Sequence, residues 1–388
     1  MTTQQTADQY LAATYARFPV TFTRGEGSLL WDDTGKQYID LGSGIAVNTL
    51  GLADTAWAGA VSAQLRTLAH TSNLYYTQPQ AALAETLCQR TGMRELFLSN
   101  SGAEANECML KAARKWSNDR WGEGRRPVIV TLEGGFHGRT YATLAATGQT
   151  ALHAGFSPMP LGFRYAKPGD IEDMRAKLGE DCCAVLIELV QGEGGVNALD
   201  PGFVRALAAL VKEKDLLLLI DEVQTGNGRT GTLFAFEQYG IAPDMVSTAK
   251  GLAGGLPLGA TLFGPRAAGV LTPGSHGSTF GGNPACCAGA LHVLGRLDNA
   301  LLSDVRAKSA FIRASLEGAP GIPGITGLGL MLGISTTRPA RDIAAECLAQ
   351  GVALLTAKEK IRLLPALNIP WDLLEQGLNV LKAVVSQL

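Results

Sequence analysis

Asp221 and Lys250 are the two side chains around which the sequence makes chemical sense. Asp221 closes a continuous apolar run, Leu216-Leu217-Leu218-Leu219-Ile220, which is short enough to form one fully buried strand. Glu222 follows, and Val223-Gln224-Thr225-Gly226-Asn227-Gly228 supplies turn-forming residues that keep a helix from starting at once. Pro243-Asp244-Met245-Val246-Ser247-Thr248 reads as a second short strand, and Ala249-Lys250-Gly251 leaves it. In an open α/β sheet, ligands bind beyond the carboxyl ends of the strands, so two strand ends can hold out a carboxylate and an amine to one small molecule. Alone, a lysine in such a place reads as a solvated surface charge. Beside an acid it has a specific use: the amine forms a Schiff base with an aldehyde, and the acid keeps a pyridine nitrogen protonated so that the ring draws electrons from the substrate. Those are the needs of pyridoxal 5'-phosphate.

A phosphorylated ring also needs an anion site and a stacking surface. Glu95-Leu96-Phe97-Leu98 reads as a buried strand, and Ser99-Asn100-Ser101-Gly102-Ala103-Glu104-Ala105-Asn106-Glu107 carries the chain into a long helix. Gly102 and Ala103 would aim free backbone N–H groups and the positive end of the helix dipole at one point, where a phosphate can be held. Ser101 with Glu104 reads equally well as a plain capping motif. After the strand Pro127-Val128-Ile129-Val130-Thr131 comes Gly134-Gly135-Phe136-His137-Gly138-Arg139-Thr140. Phe136, set between glycines, can lie flat on a heterocycle, and Arg139 can grip a carboxylate through two parallel hydrogen bonds. His137 reads by default as a packed, hydrogen-bonded residue rather than an acid or base. Ser278 and Thr279, in His276-Gly277-Ser278-Thr279-Phe280-Gly281-Gly282-Asn283-Pro284, either offer hydroxyls to an anion or belong to a glycine-rich turn.

The elements that must position these groups alternate. Cys183-Ala184-Val185-Leu186-Ile187 is another buried strand, ending in Glu188 and leading to Gln191-Gly192-Glu193-Gly194-Gly195; a helix over 201–214 follows. Strands alternating with amphipathic helices from residue 95 to 250 predict an α/β fold with a mostly parallel central sheet and helices on both faces. Upstream, the pattern predicts a helix over 5–20 ended by Pro19, a hairpin around Asp32-Asp33-Thr34-Gly35, and helices over 54–69 and 78–91. Gly42, Gly44 and Gly51 flank Ile45-Ala46-Val47-Asn48, either an ordinary loop or a place where backbone approaches a ligand or a partner subunit. Downstream, a long helix from Ala285, strands near 326–335 and 361–364, and helices near 341–350 and 373–386 read as a smaller α+β unit. The expected division is an N-terminal segment 1–45 packing with the small unit, a large cofactor-binding domain 46–280, and a C-terminal small domain 281–388.

With 388 residues, 46% of them hydrophobic and 18% charged, the chain is long enough for one large domain and a smaller one. A formal net charge of −2 without a basic run excludes nucleic acid and membrane surfaces as natural partners and favours small charged metabolites. The N-terminus lacks the basic and apolar regions of a signal peptide and no stretch reaches a membrane span, so the expected location is the cytoplasm. Seven cysteines show no metal-ligand spacing and are expected to be reduced, buried thiols. A dinucleotide-dependent oxidoreductase would need a GxGxxG turn between a strand and a helix, and the sequence has none.

Taken together, Asn100-Ser101-Gly102-Ala103-Glu104-Ala105-Asn106, Phe136-His137-Gly138-Arg139-Thr140, Gln191-Gly192-Glu193-Gly194-Gly195, Asp221-Glu222-Val223-Gln224-Thr225-Gly226 and Ala249-Lys250-Gly251 resemble the class III (omega) pyridoxal-phosphate aminotransferases. Within that family the chain looks most like the acetylornithine aminotransferases, from about Tyr15 to its C-terminus. The resemblance implies fold type I, and a homodimer with shared active sites. It implies that Lys250 holds the cofactor, Asp221 pairs with its pyridine nitrogen, Val223 and Phe136 sandwich the ring, and Gln224 bonds the ring hydroxyl. Gly102 and Ala103 would cradle the phosphate, with Thr279 reaching it from the neighbouring subunit. Arg139, Ser278 and Tyr15 are implied substrate contacts. Glu193 and Arg362 match a pair in which the arginine meets the 2-oxoglutarate carboxylate and the glutamate masks it when an amine donor is bound. Gly44 stands where ornithine delta-aminotransferases carry a tyrosine, which leaves room for an acylated side chain. Leu189, where the family often has proline, and Leu52-Ala53-Asp54-Thr55, in place of a histidine-rich turn, depart from the pattern. The implied reaction moves the 5-amino group of N2-acetylornithine to 2-oxoglutarate, as in arginine biosynthesis. Related omega-amine donors (succinylornithine, ornithine, 4-aminobutyrate) and a catalytically inactive binding protein are the alternatives.

Overall fold

The computed structural model describes residues 1–387; Leu388, the last residue of the expected C-terminal unit, lies outside the described residues. Three short strands open the chain: β1 (Phe22–Glu26), β2 (Leu29–Asp32) and β3 (Gln37–Asp40). The middle holds β4 (Glu95–Ser99), β5 (Val128–Leu132), β6 (Phe163–Ala166), β7 (Cys182–Glu188), β8 (Val190–Gln191), β9 (Asn197–Ala198), β10 (Leu217–Asp221), β11 (Met245–Thr248) and β12 (Gly259–Phe263). β13 (Gly324–Leu328), β14 (Met331–Ser335), β15 (Val352–Ala353), β16 (Leu355–Ala357) and β17 (Lys360–Leu363) follow.

Seven strands form the central sheet in the order β4-β12-β11-β10-β7-β5-β6, and only β12 runs against its neighbours. The expected mostly parallel sheet is therefore present. The unbroken apolar run before Asp221 follows from cover on both sides: Leu217 and Leu219 pack with Met109, Ala113 and Trp116 of the helix Gly102–Trp121. Leu216, Leu218 and Ile220 pack with Phe203, Leu207 and Leu210 of the helix Pro201–Glu213. Fully burying side chains of this size contributes about 1.5–3 kcal/mol each. Because side chains alternate along a strand, Asp221 shares the face of Leu217 and Leu219 and looks toward the helix Gly102–Trp121.

The remaining strands build smaller sheets, β1-β2-β3-β15 and β13-β14-β17-β16, plus the β8-β9 ribbon. In the first of these, C-terminal β15 runs parallel to N-terminal β3, so the two ends of the chain share a sheet. The helix Pro284–Arg296 packs on the helices Thr55–Thr67 and Gln78–Thr91. The N-terminal helix is shorter than predicted: it spans Thr3–Tyr10 behind a capping box of Thr2 and Gln5, and buries none of its residues. Leu11 and Tyr15 are exposed, and without an apolar face to bury, residues 11–20 gain nothing from remaining helical.

Between Gly42 and Val47 the backbone makes a left-handed turn, with φ of 45° at Ser43, 62° at Gly44, 65° at Ile45 and 61° at Ala46. Asp40 holds its start, accepting hydrogen bonds from Gly42 N at 2.9 Å and Ser43 N at 2.8 Å. Thr49 just beyond donates to the carbonyl of Gly251, at 2.7 Å, which ties the turn to the segment carrying Lys250. Among the described residues no helix is long and apolar enough to cross a membrane.

Candidate active site

β10 and β11 end side by side, with Asp221 in register with Ser247, and Lys250 begins a short 3-10 turn just past β11. Both reach a cavity of about 260 Å³ at the carboxyl edge of the sheet, shared with Gly102, Ala103, Phe136, Val223 and Gln224. Residues from four separate stretches of sequence thus meet where the sheet geometry directs them.

Asp221 is fixed on every side. Its Oδ2 accepts from Asn106 Nδ2 and lies against His137 Nδ1, both at 2.8 Å, while Oδ1 accepts from Val223 N at 3.0 Å. Asn106 Nδ2 also donates to the carbonyl of His137, at 2.7 Å. A carboxylate so oriented keeps its place while a pyridine N–H comes to it. His137 is buried and bonded, in keeping with its default reading, and its partner is the acid itself. Lys250 is half-buried, and desolvation lowers its pKa, with nearby Arg362 acting in the same sense and Glu193, Asp221 and Glu188 opposing.

Phe136 and Val223 both line the cavity, and Phe136 is set by its backbone, whose N–H donates to Glu188 Oε2 at 2.8 Å. Arg139 stacks its guanidinium 5.4 Å from the Phe136 ring centre at the exposed rim. Gly102 starts its helix against Val223: a Cβ there would lie 2.5 Å from Val223 Cγ1. Ser101 accepts from Glu104 N at 3.1 Å, so the capping motif is present at this helix start. The amides of Gly102 and Ala103 lie in the first helical turn, where no helical carbonyl can reach them.

The residues suit pyridoxal phosphate. Gln224 Oε1 and His137 Nε2 are buried polar atoms without a hydrogen-bond partner among the described residues, as expected where a polar ligand belongs. Around them stand a buried carboxylate for a ring nitrogen, two apolar walls, an amine of lowered pKa and a helix N-terminus.

Glu193 and Arg362 do pair, although they belong to different sheets: Arg362 Nη1 donates to Glu193 Oε1. Arg362 is buried on β17, and Glu193 sits on the β8–β9 link. Burial pushes the Glu193 carboxyl up, but the charge and hydrogen bond of Arg362, helped by Lys250 and Gln224, hold it below the ordinary range. Ser278 lies in another hollow, with Asn73 and Tyr76, and its Oγ accepts from Asn100 Nδ2 at 3.1 Å. Thr279 is exposed, and Tyr15 is 75% exposed beside Thr3 and Gln4, away from the cavity.

Two residues at the site had no role assigned from sequence. Asn106 lies four residues beyond Gly102, hence on the same helical face, and that spacing was the available signal. Glu188 ends β7 in register with Asp221, a position visible only once the two strands are known to be neighbours. Burial raises the Glu188 pKa to about 7, with His137 lowering it and Asp221 raising it.

This sheet, with its lysine, carboxylate and helix N-terminus on one cavity, defines a fold type I pyridoxal-phosphate enzyme. The chain matches the Aminotransferase class-III family over residues 10–385 and belongs to it. It is 47% identical over 382 residues to the acetylornithine aminotransferase of Haemophilus ducreyi, covering 98% of this chain and 97% of that protein. The N-acetylornithine aminotransferase of Stenotrophomonas maltophilia is 34% identical and superimposes with a TM-score of 0.85 over 98% of both chains. An ornithine aminotransferase of Toxoplasma gondii, described with partial occupancy of PLP at its active site, is 28% identical with a TM-score of 0.93 over 99% of this chain and 93% of that one. The chain is a PLP-dependent aminotransferase.

Proposed function

We propose that the chain transfers the 5-amino group of N2-acetylornithine to 2-oxoglutarate, giving N-acetylglutamate 5-semialdehyde and glutamate. The Glu193–Arg362 pair carries this reading, because Glu193 directly follows Gly192, where a Cβ would lie 2.6 Å from Oε1 of Gln224 in the cavity wall. At that carbon 2-oxoglutarate bears a carboxylate and an omega-amine donor bears only hydrogen. Arg362 serves the first; Glu193 covers Arg362 for the second, since an uncompensated buried charge is costly. Arg139, free at the rim, suits the carboxylate at the far end of either substrate.

When bound, pyridoxal phosphate supplies an aldehyde carbon to carry the nitrogen and a ring to take up an electron pair. Lys250 would hold it and, as a neutral amine, would take up the proton from the substrate carbon that bears the nitrogen and pass it on. Its lowered pKa favours the neutral base. Asp221, steadied by Asn106 and His137, keeps the ring nitrogen protonated. Val223 and Phe136 confine the ring, Gln224 bonds its hydroxyl, and the amides of Gly102 and Ala103 take the phosphate.

Segments 1–45 and 281–388 act together as a small domain beside the large domain 46–280, in keeping with the sheet that β3 and β15 share. The working unit is a homodimer, in which Thr279 of each chain reaches the phosphate of the other and Ser278 lines the same pocket. Exposed Leu74, Tyr75, Tyr76 and Phe280 around them support this. Reduced, mostly buried cysteines suit the cytoplasm.

The test is a panel of amine donors with 2-oxoglutarate as acceptor. N2-acetylornithine should give the highest kcat/KM, and a clear preference for succinylornithine, ornithine or 4-aminobutyrate would replace the reading. Lys250→Ala should reduce turnover to background with every donor.

A further inference from the structure

Glu193 occupies a loop that is held from outside the pocket. β8 and β9 pair as Val190 with Ala198 and Gln191 with Asn197, leaving Gly192–Val196 as the link between them. At the near end, Gln191 Nε2 donates to the carbonyl of Glu133 at 2.8 Å. The link itself is pressed down: a Cβ on Gly194 would lie 2.6 Å from the carbonyl oxygen of Gly134. At the far end, Val196 adopts φ of 55°, unfavourable for a β-branched residue, and is fully buried with Met331 and Leu364.

Asn197 next to it joins the loop to the strand that bears Arg362. Its Nδ2 donates to the carbonyl of Gly194 at 3.0 Å, and its Oδ1 accepts from Lys360 Nζ at 2.9 Å. Lys360 Nζ also donates to Thr326 Oγ1 at 2.9 Å. Lys360 and Arg362 stand two residues apart on β17 and share one face of it. The loop therefore meets one strand twice, through Glu193 on Arg362 and through Asn197 on Lys360.

We propose that Asn197 and Lys360 form a latch that keeps Glu193 seated on Arg362 and so sets how the pocket divides its affinity between the amine donor and the dicarboxylate acceptor. The inference rests on the reading of Glu193 and Arg362 given above. To admit a carboxylate at Arg362 the loop must yield, and each hydrogen bond from Asn197 opposes that movement. Asn197 and Lys360 are positioning residues; neither lines the cavity.

The experiment measures glutarate binding to the holoenzyme by calorimetry, alongside KM for N2-acetylornithine and for 2-oxoglutarate. Asn197→Ala, which removes both of that residue's hydrogen bonds, and Lys360→Met, which removes both made by the cation, should each tighten glutarate by about three- to tenfold, the net scale of one or two hydrogen bonds. They should also lower KM for 2-oxoglutarate and raise it for the donor. The sign is diagnostic, because removing the Lys360 cation would by charge alone weaken an anion. Asn197→Asp, which keeps the acceptor for Lys360 but loses the donor to Gly194, should fall between wild type and Asn197→Ala. If Glu193→Gln tightens glutarate while Asn197→Ala and Lys360→Met leave it unchanged, the latch is refuted and the gate stands. If Glu193→Gln has no effect on glutarate, the gate reading itself fails and the latch with it. Parallel weakening of donor and glutarate would reduce both residues to structural supports and overturn the proposal.

Discussion

Glu222 brings a second carboxylate to the strand end that Asp221 occupies, but faces away from the cofactor cavity. It accepts hydrogen bonds from Thr225 Oγ1 at 2.5 Å and Phe236 N at 2.8 Å, and so clamps the turn that carries Val223 and Gln224. Burial raises its pKa from 4.5 to about 7, against the opposing hydrogen bonds. A group with a raised folded pKa contributes stability that is fully present below the unfolded value, here 4.5, and lost as pH climbs through about 7. Glu222→Gln keeps the bond from Phe236 N on its amide oxygen and reverses the other, its amide N–H donating to Thr225 Oγ1, without a charge to bury. Its stability relative to the parent chain should therefore improve between about pH 5 and about pH 8, by roughly 1–3 kcal/mol in denaturant titrations; a difference independent of pH would show that Glu222 is not protonated in the fold. At this scale the sequence was legible where chemistry follows a strand end, as at Asp221 and Lys250. It was silent on what those groups lean on. The Asn106 and Glu188 contacts depend on which strands adjoin, and Glu193 and Arg362 were paired by family resemblance alone.

Among elements, the central sheet could be read from its apolar runs because both faces are covered, whereas the reversed direction of β12 leaves no mark on composition. The N-terminal helix failed for the opposite reason, since helical spacing predicts a face but cannot guarantee a surface to receive it. The left-handed turn at Ser43–Ala46 was visible only as a cluster of glycines, although three of its four residues are not glycine. Each L-residue in that conformation costs about 1–2 kcal/mol. Ile45 is 39% exposed and packs less completely than Ser43 and Ala46, which are buried. Ile45→Gly should relieve the strain and return about 0.5–1 kcal/mol of it to chain entropy, for a net gain of about 0.5–1 kcal/mol. The measurement is a higher denaturation midpoint at unchanged slope; a lower midpoint would mean that Ile45 contributes packing which the isolated chain does not reveal.

For the molecule as a whole, the exposed aromatic surface at Tyr75, Tyr76 and Phe280 offers a test of the proposed homodimer. Tyr76 is fully exposed, so Tyr76→Ala should leave the folding of one chain intact while raising the dimer dissociation constant by about tenfold or more. Sedimentation over a dilution series reads this directly: the parent chain should run at twice 40.7 kDa, and identical association for parent and variant would remove Tyr76 from the interface.

The parallel pairing of β3 with β15 sets an order of events during synthesis. A ribosome releases the N-terminal strands long before their partner exists, so β3 must wait, solvent-exposed on one edge, while about three hundred residues are translated. The central sheet can assemble in that interval. Arg362 comes later still, which means Lys250 and Asp221 can be in place on a nascent polypeptide before the arginine that pairs with Glu193 has been made.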